Sequence, residues 1–318
     1  MTTTLARPPF DPELAAALAV MPQMPDLTIE MIPGLRETPL GPPIDEQLAG
    51  RDLEWFDVRI PGHAGDEIVV TVVRRRGRTG TGPGIYLTHG GGMIMGDRFT
   101  GIVQAAPWIE EHDAVAVTVE YRLAPEFPDP YPVEDCYAGL VWTAAHAEEL
   151  GIDPERLIIA GGSAGGGLAA GVTLLARDRK GPALAGQLLM CPMLDDRDAT
   201  VSTKQIDGVG VWDRPMNVIG WTALLGDRKG TDEVSIYASS ARATDLTGLP
   251  PAYIDCGSAE VFRDEDVAYA TAIWAAGGQA ELHVWAGGFH GFEVVPHAIV
   301  SQAAVAARNS WIARTIGG

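Results

Sequence analysis

The sequence predicts an α/β fold in which an eight-stranded, mostly parallel sheet carries helices on both faces. After residue 50, short apolar runs alternate with longer amphipathic segments, which is the order of repeated strand–helix units. The first two runs follow each other without a helix, and only then does the alternation begin. The run LIIA (157–160) is apolar throughout, and QLLMC (187–191) is apolar after its first residue, as expected for parallel strands that are buried on both faces.

Each element is predicted from its length and pattern of apolar residues. The predicted strands are Leu53–Ile60, Ile68–Arg75, Ile85–Thr88, Ala114–Glu120, Leu157–Ala160, Gln187–Cys191, Ala252–Cys256 and Glu281–Trp285. The predicted helices lie near Pro12–Val20, Thr100–Glu111, Val133–Glu149, Ala164–Arg177, Arg263–Ala276 and His297–Thr315.

Two regions interrupt this alternation. Residues 1–50 are rich in Pro and Met, and a long polar, aromatic and turn-rich stretch separates Cys191 from Leu249. So long an excursion within a domain is typical of a lid or an inserted subdomain. We therefore predict a catalytic domain formed by residues 51–194 and 249–318, covered by a helical cap formed by residues 1–50 and the inserted segment 195–248.

The composition excludes several classes of protein. A formal charge of −19, from 42 acidic and 23 basic side chains, repels nucleic acid and anionic membranes. Cys136, Cys191 and Cys256 are far apart, so neither a metal site nor a disulfide framework is expected. We find no signal-peptide pattern and no apolar segment of membrane-spanning length. A cytoplasmic protein without metal or cofactor is therefore expected.

Ser163 is the candidate nucleophile. It lies at the centre of the motif Gly-Gly-Ser-Ala-Gly (161–165), a form of G-x-S-x-G. The motif alone is weak in a chain with 38 glycines. However, a short apolar strand runs directly into it and a helix pattern rich in small residues follows, which is the strand–turn–helix context of a nucleophile elbow. A phosphate-binding loop is the alternative, but no Walker lysine follows.

A second motif, His89-Gly90-Gly91-Gly92, follows the strand IYLT (85–88) and predicts an oxyanion hole. Acyl transfer produces a negatively charged tetrahedral oxygen, which backbone N–H groups stabilise. The glycines allow the backbone to approach that oxygen closely. The other donor is expected to be the N–H of Ala164, which follows the nucleophile. We expect His89 to orient this loop rather than to act as a base.

With these motifs the chain resembles the bacterial hormone-sensitive-lipase-like (family IV) carboxylesterases, which are related to arylacetamide deacetylase and have the α/β-hydrolase fold. The resemblance rests on HGGGMIMGD (89–97), VEYRLAPEFPDPYPVED (119–135), GGSAGGGLAA (161–170), GLPPAYI (248–254), FRDE (262–265) and GGFHGF (287–292). It implies a cofactor-free carboxylesterase for esters with short to medium acyl chains, and suggests a homodimer. It also implies that Arg122, Glu126 and Asp135 brace the oxyanion loop.

His290 is the candidate base among seven histidines. It alone follows a strand within a flexible apolar loop, AGGFHGF (286–292), late in the chain, where the order serine–acid–histidine requires it. A histidine that only makes a local hydrogen bond is the alternative.

The acid departs from the family pattern. Most relatives have an aspartate just before the hydrophobic residues of the FRDE-type stretch, whereas this chain has Glu260. Hydrolases of this fold accept either acid, so Glu260 is the predicted third member of the triad. Asp255, within the preceding strand, and Asp264, in the following helix, remain alternatives.

Substrate choice is less determined by the sequence. Met93 and Met95 follow the glycines of the oxyanion motif and Trp212 lies in the inserted segment, so these three are predicted to line the substrate pocket. The predicted function is hydrolysis of small-molecule carboxylic esters through an acyl-enzyme. A lactone hydrolase or deacetylase with the same triad and a catalytically silent ligand-binding relative are the alternatives.

Overall fold

The apolar runs of the sequence lie side by side in one sheet. The computed structural model describes residues 5–22 and 27–317, and within these ranges eight strands pair in the order β1-β2-β4-β3-β5-β6-β7-β8. β1 and β2 pair antiparallel, as do β2 and β4, and all other neighbours are parallel. The strands are β1 (Leu53–Pro61), β2 (Glu67–Arg75), β3 (Gly82–Thr88), β4 (Val115–Glu120), β5 (Ile152–Gly162), β6 (Gly186–Met190), β7 (Ala252–Gly257) and β8 (Ala280–Trp285).

Helices precede, connect and follow the strands. They are α1 (Pro12–Leu18), α2 (Ile32–Leu35), α3 (Ile44–Gln47), α4 (Ile102–His112), α5 (Tyr131–Ala145), α6 (Ala147–Leu150), α7 (Ala164–Asp178), α8 (Val201–Gln205), α9 (Arg214–Leu225), α10 (Arg263–Ala275) and α11 (Ile299–Ile316). The single helix predicted over 133–149 is instead broken at His146. There the imidazole Nδ1 and the backbone N–H both approach the carbonyl oxygen of Trp142, and the His146 backbone is not helical (φ −105°, ψ 16°).

Alternate residues of the central strands supply the two hydrophobic cores. Ile158 and the other strand side chains on its side of the sheet pack with α4 and α11. Ile159 and the other strand side chains on the opposite side pack with α5, α7 and α10. Because helices cover both faces of the sheet, a strand does not need to alternate apolar and polar residues. LIIA is accordingly apolar at every position.

The carboxyl ends of four parallel strands carry the candidate site. His89 follows β3 and Ser163 follows β5, while Glu260 and His290 lie in the loops after β7 and β8. Since the strands are parallel, their carboxyl ends meet at the same edge of the sheet. This arrangement brings together residues that are far apart in the sequence.

Both segments predicted to form the cap contact loops of this edge. The N-terminal segment reaches the His290 loop, where the N–H of Asp11 donates to the carbonyl of Gly287 (3.0 Å). The inserted segment reaches the oxyanion motif through the ring of Trp212, which packs against Gly92. The two segments also touch each other, since Gln205 donates to the carbonyl of Ala6 (2.6 Å).

The described chain contains no helix that combines the length and the apolar character needed to cross a membrane. Its three cysteines are buried and unpaired, and they lie on different elements, in α5, at the end of β6 and in β7.

Candidate active site

Ser163 occupies a sharp turn between β5 and α7. Its backbone has φ 58° and ψ −126°, a strained conformation for a residue with a side chain. Three backbone hydrogen bonds hold the turn: the N–H of Ser163 donates to the carbonyl of Met190 (2.8 Å), and the carbonyl of Ser163 accepts from Gly167 (3.1 Å) and Met193 (3.0 Å). The turn therefore presents the hydroxyl beyond the end of the sheet, at the N-terminus of α7.

Ser163, His290 and Glu260 form a continuous chain of hydrogen bonds. The imidazole Nε2 of His290 lies 2.9 Å from the Oγ of Ser163, and its Nδ1 lies 2.9 Å from the Oε2 of Glu260. The buried carboxylate accepts a hydrogen bond from the Nδ1–H, so Nε2 of the neutral ring carries no proton and can accept the hydroxyl proton of Ser163. The structure thus brings together the three residues that the sequence singles out. Ser163 and His290 are in contact although they are 127 positions apart in the sequence.

Glu260 is completely buried, and His290 is 7% exposed. Burial raises the pKa of Glu260, and the hydrogen bond and charge of His290 act in the opposite direction. Its second carboxylate oxygen, Oε1, has no hydrogen-bond partner among the residues that the structure describes. Phe262 packs edge-on against the His290 ring (5.1 Å between centroids) and limits its movement.

The oxyanion motif forms a tight loop after β3. His89 stacks on Tyr121 at 4.1 Å, and the hydroxyl of Tyr121 donates to the carbonyl of His89 (2.9 Å). Burial lowers the pKa of His89, and the neutral ring places Nδ1 2.8 Å from the carbonyl oxygen of Gly90. His89 therefore contacts the loop itself, as a residue that orients the loop does.

Gly91 and Gly92 must be glycines for reasons of space and conformation. Gly91 has φ +114°, and a Cβ there would lie 2.1 Å from the carbonyl oxygen of Met95. Gly92 has φ +63°, and its Cβ would lie 2.3 Å from the ring of Trp212. Any side chain at either position would push the loop away from the sheet edge.

A cavity of about 180 Å³ opens beside the catalytic hydroxyl. Ser163 and His290 line it together with Gly90, so the nucleophile, the base and one glycine of the oxyanion motif face a common space. Sequence reasoning missed several other lining residues, among them Thr100, Gln104, Cys191 and Glu293. Burial raises the pKa of the Cys191 thiol well above its usual range, so this cysteine is not a competing nucleophile.

Comparison with known proteins identifies the family. A sequence profile described as alpha/beta hydrolase fold matches residues 85–294. The chain belongs to the α/β-hydrolase family. Esterase LipI of Mycobacterium tuberculosis is 35% identical over 233 residues, which cover 71% of this chain and 70% of LipI. Carboxylesterase NlhH of the same species is 35% identical over 234 residues (73% of this chain, 72% of NlhH).

The solved structure of a bacterial heroin esterase superimposes on this hydrolase with a TM-score of 0.89. It is 39% identical, over 96% of this chain and 98% of that one. The predicted fold and the resemblance to hormone-sensitive-lipase-like esterases are thereby confirmed. As an enzyme, the chain is a carboxylic ester hydrolase.

The two rival acids of this hydrolase lie away from the His290 ring and have other partners. Asp255 lies within β7 and binds Arg308 through two hydrogen bonds (2.9 and 3.1 Å). Asp264, in the first turn of α10, accepts from the backbone N–H of Ser202 (2.8 Å). Of the three candidates, Glu260 is the one that contacts the imidazole.

The predicted bracing of the oxyanion loop is wrong for Arg122 and Asp135. These two bind each other and the turn between β1 and β2, where Arg122 also donates to the carbonyl of His63 (2.7 Å). Arg36 braces the loop instead. Its Nε donates to the carbonyl of Ile94 (2.7 Å), and its guanidinium pairs with Glu126 (2.9 Å). The sequence around Arg36 has no periodic pattern that could have indicated this contact.

Met93, Met95 and Trp212 lie in the larger hydrophobic core of the hydrolase and are at most 6% exposed. Met93 is held at φ +61°, and its carbonyl accepts from the N–H of Ala124 (3.0 Å). The cavity beside Ser163 is lined by other residues. A role of these three in a substrate pocket therefore stays a prediction.

A buried network of ion pairs holds the loop that carries His290 in this hydrolase. Arg308 of α11, only 4% exposed, bridges Asp255 and Glu293. Burial acts against its charge, but the charges of Asp255 and Glu293 raise the pKa of Arg308 well above its usual value. Glu293 lies three residues after His290, so the network fixes the end of the loop that carries the base.

Proposed function

We propose that this hydrolase is a serine carboxylesterase in which Ser163, His290 and Glu260 are the catalytic triad and esters with short to medium acyl chains are the substrates. The hydrogen-bond chain Ser163–His290–Glu260 at the wall of a cavity is the observation that carries the proposal. A hydroxyl is a weak nucleophile until a positioned base takes its proton, and His290 has the position of that base.

In the acylation half of the reaction, the Oγ of Ser163 attacks the ester carbonyl carbon as its proton passes to Nε2 of His290. Glu260 stabilises the resulting imidazolium and holds its orientation. When the tetrahedral intermediate collapses, the C–O bond to the alcohol breaks and the alcohol leaves with the proton from His290. An acyl group then remains on Ser163.

Deacylation repeats these steps with water. His290 takes a proton from a water molecule, whose oxygen attacks the acyl carbon. The bond to Oγ then breaks, and the proton returns from His290 to Ser163. The acid product leaves, and all three residues regain their starting protonation states.

The negative oxygen of both intermediates is bound by backbone N–H groups of Gly90, Gly91 and Gly92 and by that of Ala164. Ala164 is the first residue of α7, so its N–H has no acceptor within the helix and the helix dipole favours an anion there. Each such donor typically contributes about 3–4 kcal/mol to transition-state stabilisation.

The size of the cavity supports ester substrates with a small acyl group. Its volume of about 180 Å³ is below the roughly 300–1,000 Å³ of sites for drug-sized ligands. Acetyl to medium-chain acyl groups suit this space better than long fatty acyl chains. A deacetylase is the second candidate, favoured by the small cavity and by the similar structure named a heroin esterase.

We further propose a cytoplasmic enzyme that acts on small-molecule esters, forms a homodimer and binds neither nucleic acid nor membranes. The unpaired, buried cysteines of the described chain suit a reducing compartment. The net charge of −19 disfavours anionic polymers and lipids as partners.

Labelling with a fluorophosphonate, followed by mass mapping of the adduct, tests the nucleophile. We expect the label on Ser163, and none on the Ser163→Ala variant. Folded wild-type protein that remains unlabelled would contradict the proposal and favour a ligand-binding protein.

A series of p-nitrophenyl esters from acetate to palmitate, together with lactones, tests substrate class. We expect kcat/KM to peak at short or medium chains, and a peak at palmitate or among lactones would contradict that choice.

A further inference from the structure

A second buried carboxyl group lies behind the triad acid. Asp266 of α10 and Glu260 are both completely buried. Neither carboxylate oxygen of Asp266 has a hydrogen-bond partner in the described structure, and neither does Oε1 of Glu260. One oxygen of each carboxyl group and the Sγ of Cys256 lie within 4.8 Å of one another. Two acids that each have an unpartnered oxygen therefore lie close together in a closed space.

Two carboxyl groups this close cannot both be ionised without a cation, because charge repulsion and loss of hydration oppose it. The cations nearby are committed elsewhere: His290 binds Oε2 of Glu260, and Arg308 binds Asp255 and Glu293. Other groups around Asp266 add negative charge or none. They are Glu265 on its own helix, Asp255 and Cys256 of β7, and Cys191 after β6.

One of the two acids must therefore keep its proton. Glu260 has the imidazole as a hydrogen-bond donor to stabilise its charge, whereas Asp266 has no donor among the described residues. Burial and the charges of Glu260 and Glu265 raise the pKa of Asp266 well above its usual value. The proton therefore belongs on Asp266.

We propose that Asp266 is a positioning residue for the triad: as a neutral acid it donates a hydrogen bond to Oε1 of Glu260 and so leaves Oε2 aimed at His290. This inference rests on the proposed role of Glu260. A glutamate has one more rotatable bond than the aspartate usual in relatives, so a single contact to the imidazole fixes it less well. A second hydrogen bond on the far oxygen removes that freedom.

Three variants test this role: Asp266→Asn keeps a neutral donor, Asp266→Ala removes it, and Asp264→Asn is the control on the same helix. We expect Asp266→Ala to lower kcat about 10- to 100-fold with little change in KM, since misplacing a catalytic group has effects of this size. Asp266→Asn should recover kcat to within about 3-fold of wild type, because the amide N–H replaces the acid O–H. Asp264→Asn should behave as wild type.

The pH profile separates a neutral from an ionised Asp266. If Asp266 is neutral, Asp266→Asn removes no charge, and the acid limb of kcat/KM, which reports protonation of the imidazole, keeps its midpoint. A midpoint moved by about one pH unit towards acid would show that a negative charge was lost and would overturn the proposal. Equal loss of kcat in both Asp266 variants would also overturn it.

Thermal unfolding gives a readout that does not depend on activity. A carboxyl group whose pKa is raised by folding makes the native state less stable as pH rises above the unfolded pKa. Asparagine has no such penalty, so Tm of Asp266→Asn minus Tm of wild type should increase steadily from pH 5 to pH 8. A difference that stays constant would contradict the neutral acid.

Two controls keep the interpretations apart. If fluorophosphonate does not label Ser163 in the wild type, the proposed function fails, while the unfolding series still tests the protonation of Asp266. Metal analysis of the purified wild type tests the other way to neutralise these groups. One equivalent of bound metal that is lost in Asp266→Ala would overturn the neutral acid, and metal-free active enzyme would support it.

Discussion

Replacing Arg308 by methionine should destabilise the protein far more than the same replacement at Arg314 on the same helix. Arg308 makes three charge-assisted hydrogen bonds, of 2.9 and 3.1 Å to Asp255 and of 2.9 Å to Glu293. Methionine fills a similar volume but has no charge. The variant therefore leaves two buried carboxylates without their cation.

The expected size of the effect follows from burial. Asp255 is completely buried, and the Glu293 side chain is 9% exposed. Removing one partner of such a pair reduces the free energy of unfolding by about 3–5 kcal/mol. At about 2 °C per kcal/mol for a chain of this size, Tm should fall by roughly 6–10 °C. Arg314 and its partner Glu281 are 59% and 32% exposed, so that variant should lose less than about 1 kcal/mol.

Urea unfolding at pH 5 and pH 8 tests both size and mechanism. Without Arg308, burial raises the pKa values of Asp255 and Glu293 in the folded state above their unfolded values. Their contribution to stability is then lost as the pH rises, so the deficit of Arg308→Met should be larger at pH 8. An Arg308→Met variant as stable as Arg314→Met, or a deficit that shrinks at pH 8, would refute the reasoning.

Three further predictions concern the site. Glu260→Ala should lower kcat for p-nitrophenyl acetate by about 10³- to 10⁴-fold, whereas kcat of Asp264→Ala should stay within about 3-fold of wild type. The opposite pattern in folded proteins would make Asp264 the triad acid. Gly92→Ala should lower both kcat and Tm, because φ +63° and the Trp212 ring oppose a Cβ. Adding Trp212→Ala should restore part of the Tm, and no recovery would argue against a steric cause. Arg36→Met should lower kcat about 10-fold, because the oxyanion loop is displaced. Arg59→Met is the exposed control and should leave kcat unchanged. Equal activity of the two variants would show that the loop does not need Arg36 to hold it in place.

The parts of the site that sequence could predict are those formed by local chemistry. The turn at Ser163 and the glycines after β3 require particular residues at adjacent positions, so the motifs are visible in the sequence. The order of the parallel strands then places them at one edge. Fold class and most element bounds were predictable for the same reason, because burial on both faces makes a strand apolar throughout.

The contacts that sequence could not predict are between side chains and distant backbone. Arg36 reaches the carbonyl of Ile94 from an irregular segment in which no pattern marks its direction. Asp266 is preceded by two acidic residues in the first turn of α10, a position where acids are common for reasons of helix dipole alone. Only the packing of α10 against β7 shows that Asp266 is buried beside Glu260.

The hydrogen bond between Asp11 and Gly287 has a consequence for the order of events during synthesis. Together with the bond from the N–H of Ile299 to Glu13 (2.8 Å), it joins one segment to another that is synthesised much later. Leu14 is buried in a cluster with Phe289 and Phe292, so its apolar surface stays uncovered until the ribosome has made those residues. At roughly 5–20 residues per second, this wait is on the order of tens of seconds. The segment around Leu14 can therefore cover the loop that carries His290 only after that loop has itself been synthesised.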